Sequence, residues 1–215
     1  STLIDESTVF LNHSGILNWT THWTDKLNTI ISFSNSNNKN QYNVLQKTIN
    51  NEDIGSYINQ YIFSESSAKF HLQLLSSNRS NFKSGIEFTL RDFKLSTKEK
   101  DGASNINLEL FGKEPLIVSF LQYNYVSLSK LFFETGIRLT KSPSSRFYFE
   151  PRFSINKKLS EEISFEISIG KYFQFMHRYT NYNSNRGQDQ IWIPSDENLP
   201  PLKSTNLHFA IINNF

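Results

Sequence analysis

Histidines and carboxylates are the side chains of this sequence that could hold a metal or transfer a proton. The five histidines are scattered, no two of them have the spacing of metal ligands, and none begins a His-Glu-x-x-His pattern. The adjacent Glu161 and Glu162 fall in a polar link, where solvated charge is the ordinary explanation. The chain also has no cysteine, no Gly-x-Ser-x-Gly elbow and no phosphate-binding glycine loop. We therefore expect no enzyme, no metal site and no cofactor.

Residues 177–201 combine side-chain types that often bind ligands. The segment runs from His-Arg-Tyr-Thr-Asn-Tyr through Arg-Gly-Gln-Asp-Gln to Ile-Trp-Ile-Pro-Ser-Asp. Loops on a rigid scaffold often carry binding residues, and arginine and aromatic side chains supply much of the energy of binding surfaces. The alternative is that the tryptophan and its neighbours only fold the loop back onto the scaffold. The residues predicted to bind a ligand are Arg178, Tyr179, Tyr182, Arg186 and Trp192.

The composition indicates a β-rich protein. The chain has 215 residues, with 19 phenylalanines and 9 tyrosines but only three alanines. Few alanines and many aromatic residues argue against a helical bundle. Basic and acidic side chains number 22 and 20, so the formal net charge is +2. A charge this small, with mixed signs along the chain, gives no reason to expect nucleic acid as a partner.

Apolar and polar residues alternate with a period of two over most of the chain. In residues 147–175 the odd-numbered positions, such as Phe149 and Phe165, are expected to face outward, and Glu150 and Glu166 to face inward. Runs of this kind predict antiparallel strands with one apolar face. About nine strands are predicted, near residues 8–22, 27–37, 56–75, 81–96, 116–126, 131–142, 146–156, 163–177 and 204–213.

The connections between these strands alternate in length. Short polar links follow every second strand, and long links rich in Asn, Gly or Pro are predicted at 38–55, 97–115 and 178–203. In a meander, every second connection lies on the same rim of the sheet. One rim would then carry turns and the other large loops, as in outer-membrane barrels with short periplasmic turns and long extracellular loops.

Two architectures fit this pattern. A soluble β-rich binding domain on the cell surface would pack its apolar face on a core. A transmembrane barrel would turn its apolar face to lipid and its polar face to the lumen. Full charges in mid-strand on the polar face, and aromatic residues near the strand ends, favour the barrel. We therefore predict an all-β fold, an antiparallel transmembrane β-barrel meander, with the soluble domain as the alternative.

Several stretches resemble the barrel of TonB-dependent outer-membrane receptors of the Bacteroidetes type. The most specific are Tyr-Phe-Glu-Pro-Arg-Phe-Ser-Ile at residues 148–155, a Lys-Leu-Ser turn, and Ser-Ile-Gly-Lys-Tyr-Phe-Gln-Phe at residues 168–175. The run Ile-Trp-Ile-Pro-Ser-Asp at residues 191–196 and the Leu-Pro-Pro that follows it also match. The resemblance covers roughly residues 57–210.

The resemblance implies active uptake across the bacterial outer membrane. In this family the ligand, such as a siderophore, an oligosaccharide or a peptide, binds the extracellular loops. A plug domain inside the barrel is then moved by energy from the TonB system. The partners implied are outer-membrane lipid, a plug domain, the remaining barrel strands, the TonB energy-transducing system and, as a further option, a surface lipoprotein.

The sequence lacks several parts of that family pattern, among them the plug domain. Two unpaired sheet edges in lipid would be strongly disfavoured. We therefore expect residues 1–215 to be a partial barrel domain of a larger plugged barrel, either a portion of a longer chain or one half of a split chain. The inward charges are expected to form a ladder in the lumen on which a plug docks through charge-assisted hydrogen bonds. The ladder consists of Glu134, Arg138, Glu150, Arg152 and Glu166.

Overall fold

The structure is a computed structural model, and it consists almost entirely of β-strands. It describes residues 2–50, 53–101, 104–142, 146–183 and 187–213. The strands are β1 (Thr2–His22), β2 (Leu27–Thr48), β3 (Asp53–Ser77), β4 (Ser80–Asp101), β5 (Ser104–Val126), β6 (Leu131–Lys141), β7 (Phe147–Lys158), β8 (Ile163–Gln174), β9 (Met176–Asn183), β10 (Gly187–Pro194) and β11 (Leu202–Asn213). Within the described ranges there is no helix long and apolar enough to cross a membrane.

Nine of these strands form one antiparallel sheet. Each strand from β1 to β7 pairs with the next along the chain, and β8 pairs with β11. β9 and β10 form a separate two-stranded hairpin. β1 and β11 are the two edges of the main sheet. The predicted all-β antiparallel meander is confirmed, including the nine strands of its main sheet.

Two of the predicted long loops are strands instead. Residues 38–48 belong to β2, and residues 104–115 belong to β5. The prediction was wrong because a strand needs backbone pairing and not an apolar face, and polar side chains can also pair across strands. Gln60 Nε2, for example, donates a hydrogen bond to Gln41 Oε1 at 3.2 Å. The third predicted loop, 178–203, contains most of the β9–β10 hairpin.

The two faces of the sheet exchange their polarity part-way along the long strands. In residues 82–90 of β4 the outward face is apolar and the inward face is polar. Beyond this range the outward side chains are charged, and Asp92 and Lys94 form ion pairs with residues of β5. The inward side chains there are Phe93 and the buried Leu95. In β4 an apolar outward face near the short turns therefore gives way to a mainly polar outward face, with Phe93 and Leu95 turned inward.

We name these two parts of the sheet by their residues in β3, β4 and β5. The apolar band comprises residues 66–74, 82–90 and 115–125, and the upper wall comprises residues 53–65, 91–101 and 104–114. A membrane-spanning strand needs about 9–11 residues, which is close to the height of the apolar band. The upper wall extends beyond that height.

Candidate ligand-binding site

The β9–β10 hairpin lies against the inward face of the upper wall. Ile191 of β10 is buried in a cluster with Tyr61 and Leu95. The Tyr61 hydroxyl donates a hydrogen bond to the carbonyl oxygen of Trp192, 2.6 Å away. Burial raises the pKa of Tyr61 to about 12, so its hydroxyl stays protonated at neutral pH. An apolar contact and a hydrogen bond therefore fix the hairpin to the wall.

Hydrogen bonds also join the two ends of the hairpin. The Ser195 backbone N–H donates to the carbonyl oxygen of Phe175 at 2.8 Å. His177 Nε2 lies 3.2 Å from Ser195 Oγ and 3.1 Å from the carbonyl oxygen of Pro200. These contacts bring the chain that enters the hairpin against the chain that leaves it.

Phe173 and Phe175 turn to the lumen side of the sheet. β7 pairs with β8 only as far as Arg152, and the two strands separate beyond it. The ring centres of Phe173 and Phe175 lie 4.9 and 5.2 Å from that of Tyr148, which is on the inward face. The expectation that every odd-numbered residue of 147–175 faces outward is therefore wrong for Phe173 and Phe175, because β8 separates from β7 before these residues.

A cavity of about 710 Å³ lies between the hairpin and the inward face of β1–β4. Its volume falls within the range of about 300–1,000 Å³ that is usual for small-molecule sites. The lining combines aromatic rings, which supply apolar contact area, with amide groups that can both donate and accept hydrogen bonds. The aromatic residues are Phe10, Tyr61, Phe63 and Trp192, and two of the amides are Asn38 and Asn40.

Arg91 lies at the cavity between two carboxylates. Its Nε donates to Glu65 Oε2 at 2.7 Å, and its Nη1 donates to Glu114 Oε2 at 3.1 Å. Glu114 is only 1% exposed, and its Oε1 has no hydrogen-bond partner among the described residues. Burial raises the pKa of Glu114 to about 7, although the hydrogen bond and charge of Arg91 oppose this shift. Glu114 therefore exchanges a proton near neutral pH.

We expect Glu114→Gln to flatten the pH dependence of stability. Because the pKa of Glu114 in the folded state lies above its ordinary value of 4.5, the native state keeps a proton that the unfolded chain has lost. This contribution to stability is complete below that ordinary pKa and is lost as the pH rises through about 7. The loss is on the order of 3 kcal/mol.

The thermal unfolding midpoint in detergent, followed from pH 4.5 to 8, checks this expectation. The midpoint of the wild-type protein should fall more steeply than that of Glu114→Gln. Glu109→Gln is the matched control, because Glu109 lies on the outward face in an exposed ion pair with Lys94. Parallel profiles for Glu114→Gln and the wild type would contradict the assignment.

A second arginine lies between two carboxylates deeper in the lumen. Arg138 Nη2 is 3.5 Å from Glu87 Oε2, and Arg138 Nε is 3.5 Å from Glu150 Oε2. Glu87 Oε1 also lies 3.1 Å from His71 Nε2. The other oxygen of the buried Glu150 accepts a hydrogen bond from the Phe173 backbone N–H at 3.0 Å. This side chain replaces a ladder hydrogen bond where β8 separates from β7.

The predicted ladder residues all lie on the inward face, but the structure joins only two of them to each other. Arg138 and Glu150 are cross-strand neighbours and form an ion pair. Arg152 instead lies over the ring of Tyr172, with its guanidinium carbon 4.7 Å from the ring centre. Gly170 makes room for this arrangement, since a Cβ there would lie 2.7 Å from the Tyr172 hydroxyl oxygen.

The two remaining ladder residues lie apart from this pair. Glu166 Oε1 is 4.0 Å from Nδ1 of His208 on the edge strand β11. Glu134 forms no ion pair with any residue that the structure describes. Docking of a plug on these five residues stays a prediction.

The register places Arg178 on the same face of the hairpin as Trp192, and Tyr179 on the other face. Trp192 lines the cavity. Arg178 is its cross-strand partner, and Arg178 and Tyr179 are exposed. The backbone of Tyr182 pairs with β10, and Arg186 lies outside the described residues. No group of histidine and acidic residues able to hold a metal occurs in the part of the chain that the structure describes.

Sequence reasoning missed the wall that faces Trp192. Tyr61, Phe63 and Glu65 come from β3, and Arg91 comes from β4. The signal that could have found them is the change of face within one strand. In β4 the apolar residues are even-numbered up to Leu90 and odd-numbered beyond Arg91.

Comparison with known proteins supports the fold and not a specific family. No protein-family model matches the sequence, and no curated protein matches it. A structure of the RagAB peptide transporter matches 98% of this chain at a TM-score of 0.63 and 9% identity. A structure of the RagAB peptide importer in the "closed-closed" state matches 98% of this chain at a TM-score of 0.61 and 9% identity. A structure of the siderophore receptor PirA from Pseudomonas aeruginosa matches at a TM-score of 0.46 and 14% identity, over 95% of this chain and 43% of its own.

The two RagAB matches extend over almost all of this chain but over only 28% of their own chains. This agrees with a sheet that has two edges and does not close on itself. The chain therefore has the fold of a section of the RagAB peptide transporter structure.

Proposed function

We propose that this chain is a section of the barrel of a TonB-dependent outer-membrane receptor that takes up a ligand through a plugged barrel. The observation that carries the proposal is the two-sided sheet, which has an apolar outward band and buried ion pairs on the inward face. A lipid-facing wall with a polar lumen has this arrangement. The fold shared with the RagAB peptide transporter supports it. The proposed role is transport, and no catalytic step is assigned to the chain.

The proposed ligand site is the cavity behind the hairpin, with Trp192 on one side and the upper wall on the other. Arg178 and Tyr179, exposed on β9, are proposed to meet the ligand first, together with Tyr182 and Arg186. Siderophores, oligosaccharides and peptides are the candidate ligand classes. Peptide gains support from the RagAB peptide transporter, whose barrel shares this fold.

The proposed partners follow from the same assignment. Lipid of the bacterial outer membrane would contact the apolar band, and the remaining barrel strands would pair with β1 and β11. A plug domain, supplied outside the partial barrel domain of residues 1–215, would contact the inward charges. The TonB system would supply the energy, and a surface lipoprotein is a further proposed partner. Membership of the Bacteroidetes type of these receptors is part of the proposal.

Membrane placement predicts opposite labelling of the two faces. Cysteines introduced at Phe149 and Ile169 should react with a lipid-phase reagent, because both side chains are exposed on the outward face. Cysteines at Ser154 and Glu166, on the inward face, should react with a charged aqueous reagent. Equal labelling of the two pairs, or release of the protein by high salt without detergent, would favour a soluble surface domain.

Uptake can be tested without knowing the ligand in advance. A strain that lacks the gene should leave in its medium a compound that the parent strain removes, and mass spectrometry of spent medium would identify it. The wild-type gene should restore removal in a manner that depends on TonB. Deletion of residues 182–190 tests the hairpin tip as a contact site. If uptake and affinity survive this deletion, the tip is a spacer and the ligand contacts lie elsewhere.

A further inference from the structure

The upper part of β5 has a free edge that its neighbour in the sheet does not cover. β4 pairs with β5 along its whole length, from Ser80 with Tyr125 to Asp101 with Ser104. On the other side β6 pairs with β5 only from Ile117 onward, because β6 ends at Lys141. Among the described residues, positions 104–116 therefore have a strand partner on one side only.

Strands added at the two outer edges of the sheet would not pair with this edge of β5. New strands would join β1 or β11, whereas β5 already has both of its neighbours within the apolar band. An antiparallel strand turns every second pair of backbone N–H and C=O groups toward each side. Counting only the residues that the structure describes, the upper part of β5 therefore presents a row of unpaired donors and acceptors with the spacing of a strand.

The side chains along the edge alternate in the same way. Ile106, Leu108 and Leu110 lie on the inward face and are 56%, 47% and 44% exposed. Asn105, Asn107 and Glu109 alternate with them on the outward face, which ends with Phe111, 82% exposed. The devices that usually protect an edge strand are a bulge, a proline or an inward-pointing charge. Residues 104–111 contain none of these, since their register with β4 is unbroken and their one charged side chain, Glu109, points outward.

We propose that residues 104–111 of β5 bind an extended peptide, which adds to the upper wall as a further strand. Backbone hydrogen bonds to the free edge give the peptide its extended form. Apolar side chains at alternate positions of the peptide pack on Ile106, Leu108 and Leu110, beside the β9–β10 hairpin, which contacts both β4 and β5. The inference goes beyond the proposed function, because it assigns a binding surface whether or not the peptide is transported.

The test measures peptide binding to the protein purified in detergent from its native host. The probe is a fluorescein-labelled octapeptide of alternating valine and threonine with a C-terminal lysine, and fluorescence polarisation reports its affinity. Two further probes carry N-methyl groups on all valines or on all threonines. Because only one of these sets faces β5, one N-methylated probe should lose at least tenfold in affinity and the other should lose much less.

Two lysine variants of β5 separate a strand edge from a general apolar surface. Leu108→Lys puts a charge on the inward face and should weaken binding at least tenfold. Asn107→Lys puts the same charge on the outward face of the same edge and should change the affinity less than twofold. Uptake is not measured, so a failure of the proposed function would leave these affinities unchanged.

Several outcomes would overturn the inference. One is that the parent probe does not bind at millimolar concentration, and another is that both N-methylated probes bind as well as the parent. Equal affinities of Leu108→Lys and Asn107→Lys would also contradict it. A dimer seen by sedimentation that excludes the peptide would show that a second copy of the chain occupies the edge.

Discussion

Ile191→Asp should detach the β9–β10 hairpin from the upper wall. Ile191 is buried against Tyr61 and Leu95, and an isoleucine in such a site contributes about 1.5–3 kcal/mol through burial. An unpaired carboxylate in the same place would cost several kcal/mol more. Trypsin digestion followed by mass spectrometry is the measurement, and cleavage after Arg178, which pairs with Trp192 in the wild type, should become at least tenfold faster.

Tyr179→Ser is the control for this experiment. It changes an exposed side chain of the same hairpin and puts no acidic residue beside the cleaved bond, so cleavage should stay within about twofold of the wild-type rate. Tyr61→Phe should have an intermediate effect, since it removes the hydrogen bond to the Trp192 carbonyl oxygen, worth about 1 kcal/mol. Equal cleavage rates for Ile191→Asp and Tyr179→Ser would show that the hairpin does not depend on the apolar cluster.

Arg91→Ala should have the second large effect, a loss of barrel stability that depends on pH. The substitution leaves Glu65 and the buried Glu114 without their cation. Removing one partner of a buried ion pair costs about 3–5 kcal/mol. The cost should be smaller at pH 5, because a protonated Glu114 carries no charge that needs a partner. Heat-induced loss of the folded form in detergent, at pH 5 and pH 8, provides the measurement.

Arg152→Ala separates this effect from the loss of any lumen arginine. Arg152 lies over the Tyr172 ring and forms no ion pair with a described residue, so its removal should change stability by less than about 1 kcal/mol. If a plug docks on the inward charges, Arg152→Ala should still weaken plug retention. Equal destabilisation by Arg91→Ala and Arg152→Ala would contradict the role of the two carboxylates beside Arg91.

The meander could be predicted from sequence because outward-facing and inward-facing residues differ in polarity at every second position. Phe149 and Glu150 are an example, since one is exposed on the outward face and the other is buried on the inward face. The same rule failed in the upper wall, where the hairpin packs against apolar residues of the inward face. There Lys94 is outward and Leu95 inward, so the rule that holds for residues 82–90 is reversed.

The cavity could be predicted only in part, because its two sides come from distant parts of the chain. Trp192 was identifiable as an aromatic residue in an unusual loop. Tyr61 and Arg91 were not, since each looks like an ordinary strand residue until the hairpin is placed against it. Glu150 shows the same limit. Its hydrogen bond to the Phe173 backbone exists only because β8 leaves β7, and no local pattern marks that point.

The nine-strand order of the main sheet has a consequence for how the wall can close. In an antiparallel sheet neighbouring strands run in opposite directions, so the first and the ninth strand, β1 and β11, run in the same direction. Two copies of this chain in the same membrane orientation would therefore meet in parallel pairs at both seams. A fully antiparallel closure requires an odd number of additional strands, which gives the even total found in bacterial outer-membrane barrels. Strand parity thus argues against two copies of this nine-stranded sheet alone closing one fully antiparallel barrel.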